Sequence, residues 1–165
     1  MRGKWITFKS WDDSFSLQYP ADWEALNQPL TPGASLSCIG PRGDTLLEAY
    51  GAEQDPVPEG ATPDLVTILG QALVKSLKHE EGHGRVRVVS RKDVAFRDAD
   101  RCQRMVVSYK DRGLETTTAY CIVARAGRAV IIAMKGLSSD YASFSRVFEE
   151  VLETLRAPWL AEPER

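Results

Sequence analysis

Two spacings of apolar residues alternate along this chain. Between 139 and 156, Tyr141, Phe144, Phe148, Val151 and Leu155 follow the three-and-four spacing of one helix face, with Val147 and Leu152 at its margin. Glu149, Glu150 and Glu153 fall on the opposite side, and Ser138-Ser139-Asp140 supplies cap residues in front. Leu65, Leu69, Leu73 and Leu77 recur every four residues, widened by Val66 and Ala72. Thr62 is placed to cap that helix, and Pro63 suits its first position. Lys75, Lys78 and His79 sit near its negative end, where Gly82 and Gly84 stop it. Helices are predicted over 62–80 and 139–156.

The rest reads as strands. Residues 4–8 and 15–19 are aromatic-rich and flank the polar turn Ser10-Trp11-Asp12-Asp13-Ser14. Pro20 ends the second strand, and residues 21–24 read as one helical turn anchored by Trp23. Residues 34–39 and 45–50 form a hairpin around Gly40-Pro41-Arg42-Gly43-Asp44, followed by a loop over 51–61. Val86, Val88, Val94 and Phe96 share one parity, and Arg85, Arg87, Arg91 and Arg97 the other, as on a strand with one buried and one wet face. After a turn at Asp98-Ala99-Asp100 come strands over 102–110, 114–125 and 128–135. Their short connections, Asp111-Arg112-Gly113 and Ala126-Gly127, make them an antiparallel meander. A three-residue loop with left-handed Gly113 puts Cys102 opposite Ile122 and Cys121 on the other face; a two-residue Asp111-Arg112 loop puts Cys102 opposite Cys121. The first register is expected, with three free thiols.

With 165 residues and no linker or repeat, the chain reads as a single domain over 1–157 and a short tail over 158–165. Its 21 basic and 23 acidic residues leave a net charge of −2, the wrong balance for gripping nucleic acid. No apolar run reaches the ~20 residues of a membrane span. Neither a signal-like start nor a cysteine framework is present, so a cytoplasmic location is expected.

The segment Phe15-Ser16-Leu17-Gln18-Tyr19-Pro20-Ala21-Asp22-Trp23 is similar to the opening of PsbP-like and DcrB-like proteins, where an F-S-x-x-Y-P strand runs into a turn ending in Trp. The order of elements also resembles that family over roughly residues 5–156. The resemblance implies an α+β fold, an αβα sandwich with helices packed on a curved antiparallel sheet. Members include photosystem accessory subunits, a Ran-binding Mog-type import factor, bacterial lipoproteins and chaperones for secreted toxins. The family is not an established enzyme class, so the resemblance carries over no catalytic residue.

Candidate chemistry is sparse. His79-Glu80-Glu81-Gly82-His83 matches H-E-x-x-H, which in zinc hydrolases puts two imidazoles on one helix face. Here it falls at a helix end with Gly82 between the histidines, so a polar helix terminus is the preferred reading and zinc chemistry through His79 and His83 the lesser one. Arg85, Arg87, Arg91 and Arg97, joined by Arg101 and Arg104, would form a basic stripe, either a solvated face or a site for an acidic partner. The aromatics Trp5, Phe8, Trp11, Phe15, Tyr19 and Trp23 fill a core or line a groove. Trp159 either staples the tail to the body or anchors a partner. No phosphate loop or nucleophile elbow is present. The expected function is a non-catalytic binding or accessory protein without a cofactor. Its partner would be another protein, met through Arg85, Arg87, Arg97 and Trp159, as an adaptor or as a chaperone for a secreted effector. A small-molecule binder with a pocket between sheet and helix is the alternative.

Overall fold

The computed structural model describes residues 3–53, 64–97 and 99–160. Seven antiparallel strands make the main sheet: β3 (Glu24–Ala25), β4 (Leu36–Ile39), β5 (Leu46–Glu53), β6 (His83–Asp93), β7 (Arg101–Asp111), β8 (Leu114–Arg125) and β9 (Arg128–Leu137), in spatial order β3-β4-β5-β9-β8-β7-β6. The helices α1 (Leu65–His79) and α2 (Tyr141–Thr154) pack on opposite faces. A separate hairpin, β1 (Trp5–Lys9) with β2 (Ser16–Pro20), lies beside α2, joined where the Gln18 amide donates to Thr154 Oγ1 at 2.8 Å. The result is the expected α+β sandwich.

Because β8 and β9 are covered on both sides, their side chains are buried almost without alternation. On the α2 side, Cys121, Val123, Val130, Ile132 and Met134 meet Phe144, Phe148, Val151 and Leu155, together with Phe15 and Leu17 of the hairpin. On the α1 side, Met105, Val107, Ile122 and Ile131 meet Leu65, Val66 and Leu77. Each such side chain adds roughly 1.5–3 kcal/mol before conformational entropy is subtracted. Two glycines set the helix–sheet distances. A Cβ on Gly70 of α1 would lie 3.0 Å from Gln103 Oε1, and one on Gly136 of β9 would lie 2.8 Å from Phe144 Cε2.

Several details correct the sequence reading. The β7–β8 turn is a two-residue one at Arg112-Gly113, both with positive φ (50° and 85°), which matches the right-handed twist of a hairpin. Asp111 therefore pairs with Leu114 and Cys102 with Val123, one residue beyond the expected register. Cys102 and Cys121 become diagonal neighbours on the same face, both buried, their Sγ atoms 3.6 Å apart. Residues 21–24 make a turn leading into β3 rather than a helical turn, although Trp23 is buried as the anchor. Thr62, Pro63 and Asp98 lie outside the described residues, as does 54–61 of the predicted loop, while 51–53 extend β5. Among the described residues Asp64 caps α1, its Oδ1 accepting from the Thr67 amide at 3.0 Å. Ala72 faces solvent and Gly70 packs inward. Gly82 makes the turn after α1, and Gly84 is already strand. A 3-10 turn over Ser138–Asp140 precedes α2; Asp140 makes no side-chain cap bond, and Ser138 Oγ is hydrogen-bonded to Thr117 instead.

Candidate functional site

The helix α1 packs most closely over β6, β7 and β8, and its apolar face also reaches Ile131 of β9. Residues 30–32 of the β3–β4 connection approach the same sheet face beside α1. Between them opens a cleft of about 750 Å³, walled by Leu73, Ser76 and Leu77 of α1 and roofed by Leu30, Thr31 and Pro32. Strand pairing sets its floor in two cross-strand rows, Glu48–Ala133–Tyr120 and Leu46–Lys135–Thr118. Directly opposed residues share a face, so each row points together into the cleft. Ala133, the smallest residue in the middle, leaves the hollow.

The polar groups here are organised. Glu48 is 8% exposed and holds three hydroxyl donors: Thr31 (2.9 Å) and Tyr50 (3.0 Å) on Oε1, and Ser37 (3.1 Å) on Oε2. No lysine or arginine pairs with it among the described residues. Burial, and then the Glu48 charge, push the Tyr50 phenol up to about 12. Tyr109 and Thr118 hydroxyls bond to each other at 2.8 Å. Tyr120 is 6% exposed and lines the cleft, and its hydroxyl has no hydrogen-bond partner among the described residues. Burial raises its pKa, with neighbouring Tyr109, Tyr50, Glu48 and Glu80 adding in the same direction. Lys135 Nζ donates to Asp111 Oδ2 at 2.8 Å and sits 5.9 Å from the Tyr109 ring centre. Burial works against that ammonium, but the bond to Asp111 and the charges nearby outweigh it and raise its pKa. The same hydrogen bond holds Asp111 below the ordinary aspartate range.

The two histidines of the H-E-x-x-H match come apart. His79 is the exposed last residue of α1, whereas His83 opens β6 beyond the Gly82 turn. His83 Nδ1 donates to the Leu77 carbonyl at 2.9 Å, and its ring packs 4.6 Å from Tyr109, so it closes the helix end. Both line the cleft wall, not one helix face, and the described residues hold no group of three metal-ligating side chains.

The arginines do not form one stripe. Bulges between Gly84 and Arg87 and between Val88 and Ser90 shift the parity of β6. Arg87 then stands opposite Ser108 on the α2 side, while Arg91 stands opposite Met105 on the α1 side. Arg85 (φ 52°) sits within the first bulge, exposed. β6 is the sheet edge; of the expected apolar face Val88 (36%) and Val94 (40%) are exposed, while Val86 and Phe96 are partly buried against opposite cores. Arg97 lies beyond the strand and donates to the carbonyls of Leu155 and of Glu153 (2.6 Å), closing the end of α2. Arg101 bridges Asp64 and Asp93, and Arg104 pairs with Glu149 above the Phe148 ring. Trp159 is 4% exposed, and its indole N–H donates to the Ser14 carbonyl at 2.8 Å, which staples the chain end to the body. Of the early aromatics, Phe15, Tyr19 and Trp23 are core, Trp5 and Phe8 pack partly against it, and Trp11 is 92% exposed.

The sequence reading named a sheet–helix pocket but none of Glu48, Tyr50, Tyr120 or Lys135. A signal was there: a carboxylate in the middle of the apolar run Leu46-Leu47-Glu48-Ala49-Tyr50 needs partners if that strand is buried.

No protein-family model matches the sequence, and no curated protein matches it. Solved structures do. The cyanobacterial PsbP (CyanoP) of Synechocystis sp. PCC 6803 superposes with a TM-score of 0.61 at 13% identity, over 93% of this chain and 92% of that one. LpqN, involved in cell envelope biogenesis of Mycobacterium tuberculosis, gives 0.61 at 15%, over 94% and 91%. A Bacteroides thetaiotaomicron protein gives 0.61 at 18%; it covers 99% of this chain, which spans 52% of that one. Likeness at such low identity carries fold and nothing further: this chain has the PsbP-like α+β sandwich fold.

Proposed function

We propose that this chain is a binding protein that takes a small molecule into the cleft beside α1. The observation that carries this reading is Tyr120 on the floor of a cavity of about 750 Å³, a residue only 6% exposed whose hydroxyl has no hydrogen-bond partner among the described residues. A bound polar group that takes up this hydroxyl gains the net worth of one hydrogen bond, about 0.5–1.5 kcal/mol. The volume matches the few hundred to about 1,000 Å³ of small-molecule sites, and the mixture of leucine walls with a few fixed polar groups is what such sites use. Glu48 supports binding over acid–base chemistry, because its oxygens are already held by three hydroxyls.

The test is an NMR fragment screen on the full chain, with amide shifts mapped onto the structure. Fragments should perturb Glu48, Tyr120 and Ala133, and Ala133→Leu, which fills the hollow, should abolish those shifts while preserving the rest of the spectrum. Hits that map elsewhere, or that survive Ala133→Leu, would remove the cleft from consideration.

A second reading, an accessory protein docking an acidic partner through the β6 edge, is supported by the exposed Arg85, Arg87 and Val89. Reversing Arg85 and Arg87 to Glu should weaken such capture with unchanged stability. Arg97 and Trp159 are unsuitable for that test, since both hold the fold together.

A further inference from the structure

We infer that the ligand of this cleft is an organic cation, an ammonium or quaternary ammonium group on an apolar or aromatic arm. This rests on the binding reading above and names the chemistry of the same site. Two carboxylates, Glu48 and Glu80, line the cleft together with His79, His83 and one ammonium, Lys135, which is bonded to Asp111. Lys135 is engaged by Asp111, so it neutralises that carboxylate; Glu80 has His83 Nδ1 at 3.7 Å, and Glu48 has no cationic side chain paired with it among the described residues. Glu48 is the informative one. A carboxylate only 8% exposed normally has a cationic partner, yet this one has hydroxyls alone. A cation entering the cleft supplies that partner.

The walls suit the same guest. Tyr50, Tyr109 and Tyr120 line the cleft, Tyr50 in contact with the carboxylate, and aromatic faces attract cations through their ring quadrupoles. The Tyr120 hydroxyl, free of protein partners among the described residues, can accept a hydrogen bond from an ammonium N–H. Leu30, Pro32, Leu46 and Leu73 line the outer part and would cover an apolar arm. The direction of two tyrosine shifts agrees: after burial, Glu48 and Glu80 both add to the raised pKa values of Tyr50 and Tyr120, whereas at Tyr109 the Lys135 charge acts in the opposite direction. An anionic guest meets Glu48 and a lysine already engaged by Asp111.

The experiment uses one scaffold with three charges: phenethylammonium, 2-phenylethanol and 3-phenylpropionate, with benzyltrimethylammonium as the quaternary probe. Each is titrated into the full chain by NMR or calorimetry. The cations should bind at least about tenfold more tightly than the alcohol, the worth of about one charge-assisted contact, and the carboxylate should not bind. Glu48→Gln keeps the side-chain shape, and its amide can still face Thr31, Tyr50 and Ser37. It should weaken the cations about tenfold and leave the alcohol unchanged. Tyr120→Phe should weaken phenethylammonium several-fold and spare benzyltrimethylammonium, which has no N–H to donate. Chemical shifts away from the cleft report that each variant is folded. If the alcohol or the carboxylate binds in the cleft as tightly as the cations, or Glu48→Gln leaves cation affinity intact, the cation inference is overturned while the cleft remains a binding site. If none of the probes perturbs cleft residues, the inference fails for this chemistry, and the fragment screen separately decides whether the cleft binds anything.

Discussion

Replacing Gly136 by alanine tests how closely α2 is seated on the sheet. Gly136 lies in β9, and its φ is not positive, so alanine can adopt the backbone without strain. On backbone entropy alone the change should stabilise the protein by about 0.4–1 kcal/mol. The added methyl, however, would lie 2.8 Å from Phe144 Cε2, 3.0 Å from Cδ2 and 3.4 Å from Thr45 Oγ1. The Phe144 ring has little room to yield, because it is 4% exposed and stacked on Tyr141 at 5.4 Å with a 15° interplanar angle. Overpacking of this kind costs about 1–3 kcal/mol. The clash exceeds the entropy gain, and a net loss of about 1–2 kcal/mol follows. Urea unfolding of the wild type, Gly136→Ala, Phe144→Leu and the double variant closes a cycle. Shortening the ring should relieve the clash, so the double variant should be at least about 0.5 kcal/mol more stable than additivity predicts. A neutral or stabilising Gly136→Ala, or strict additivity, would show that the ring does not rest on that glycine.

Phe148→Ala should cost about 3–5 kcal/mol, since the ring is 1% exposed between the sheet and the Arg104 guanidinium; a loss below about 1 kcal/mol in denaturant unfolding would contradict its core position. Thiol titration in denaturant should count three cysteines. Diagonal cross-strand positions such as Cys102 and Cys121 lie about 7–8 Å apart at Cα, beyond ordinary disulfide reach, so a count of one would contradict the register. Asp111 has a folded-state pKa below its unfolded value because of Lys135, so the pair stabilises the fold above the ordinary aspartate value of 3.8 and ceases to do so as pH falls through the lower folded value. Lys135→Met should therefore lower the urea midpoint at pH 7 more than at pH 2.5; an equal loss at both would mean the pair contributes nothing.

What the sequence determined by itself was whatever local periodicity and short connections can specify. The α2 stripe, the three-strand meander and the two hairpins were legible because each pattern repeats within one element or across a turn of a few residues. The sandwich could be anticipated from the Phe15–Trp23 segment and the order of elements. Tertiary structure decided the rest. One residue in the Arg112-Gly113 turn moved Cys121 to the face of Cys102, and two bulges in β6 scattered arginines that share a parity in the sequence. Arg97 and Trp159 looked available until the fold brought them to Leu155 and Ser14, 58 and 145 positions away in the chain. The cleft was out of reach of pattern reading for the same reason. Its floor joins Glu48, Ala133 and Tyr120 from three strands, and its walls come from α1 and residues 30–32, which lie far apart in the chain. Periodicity reports which side of an element is buried; it does not report which neighbour covers that side, or where the covering ends.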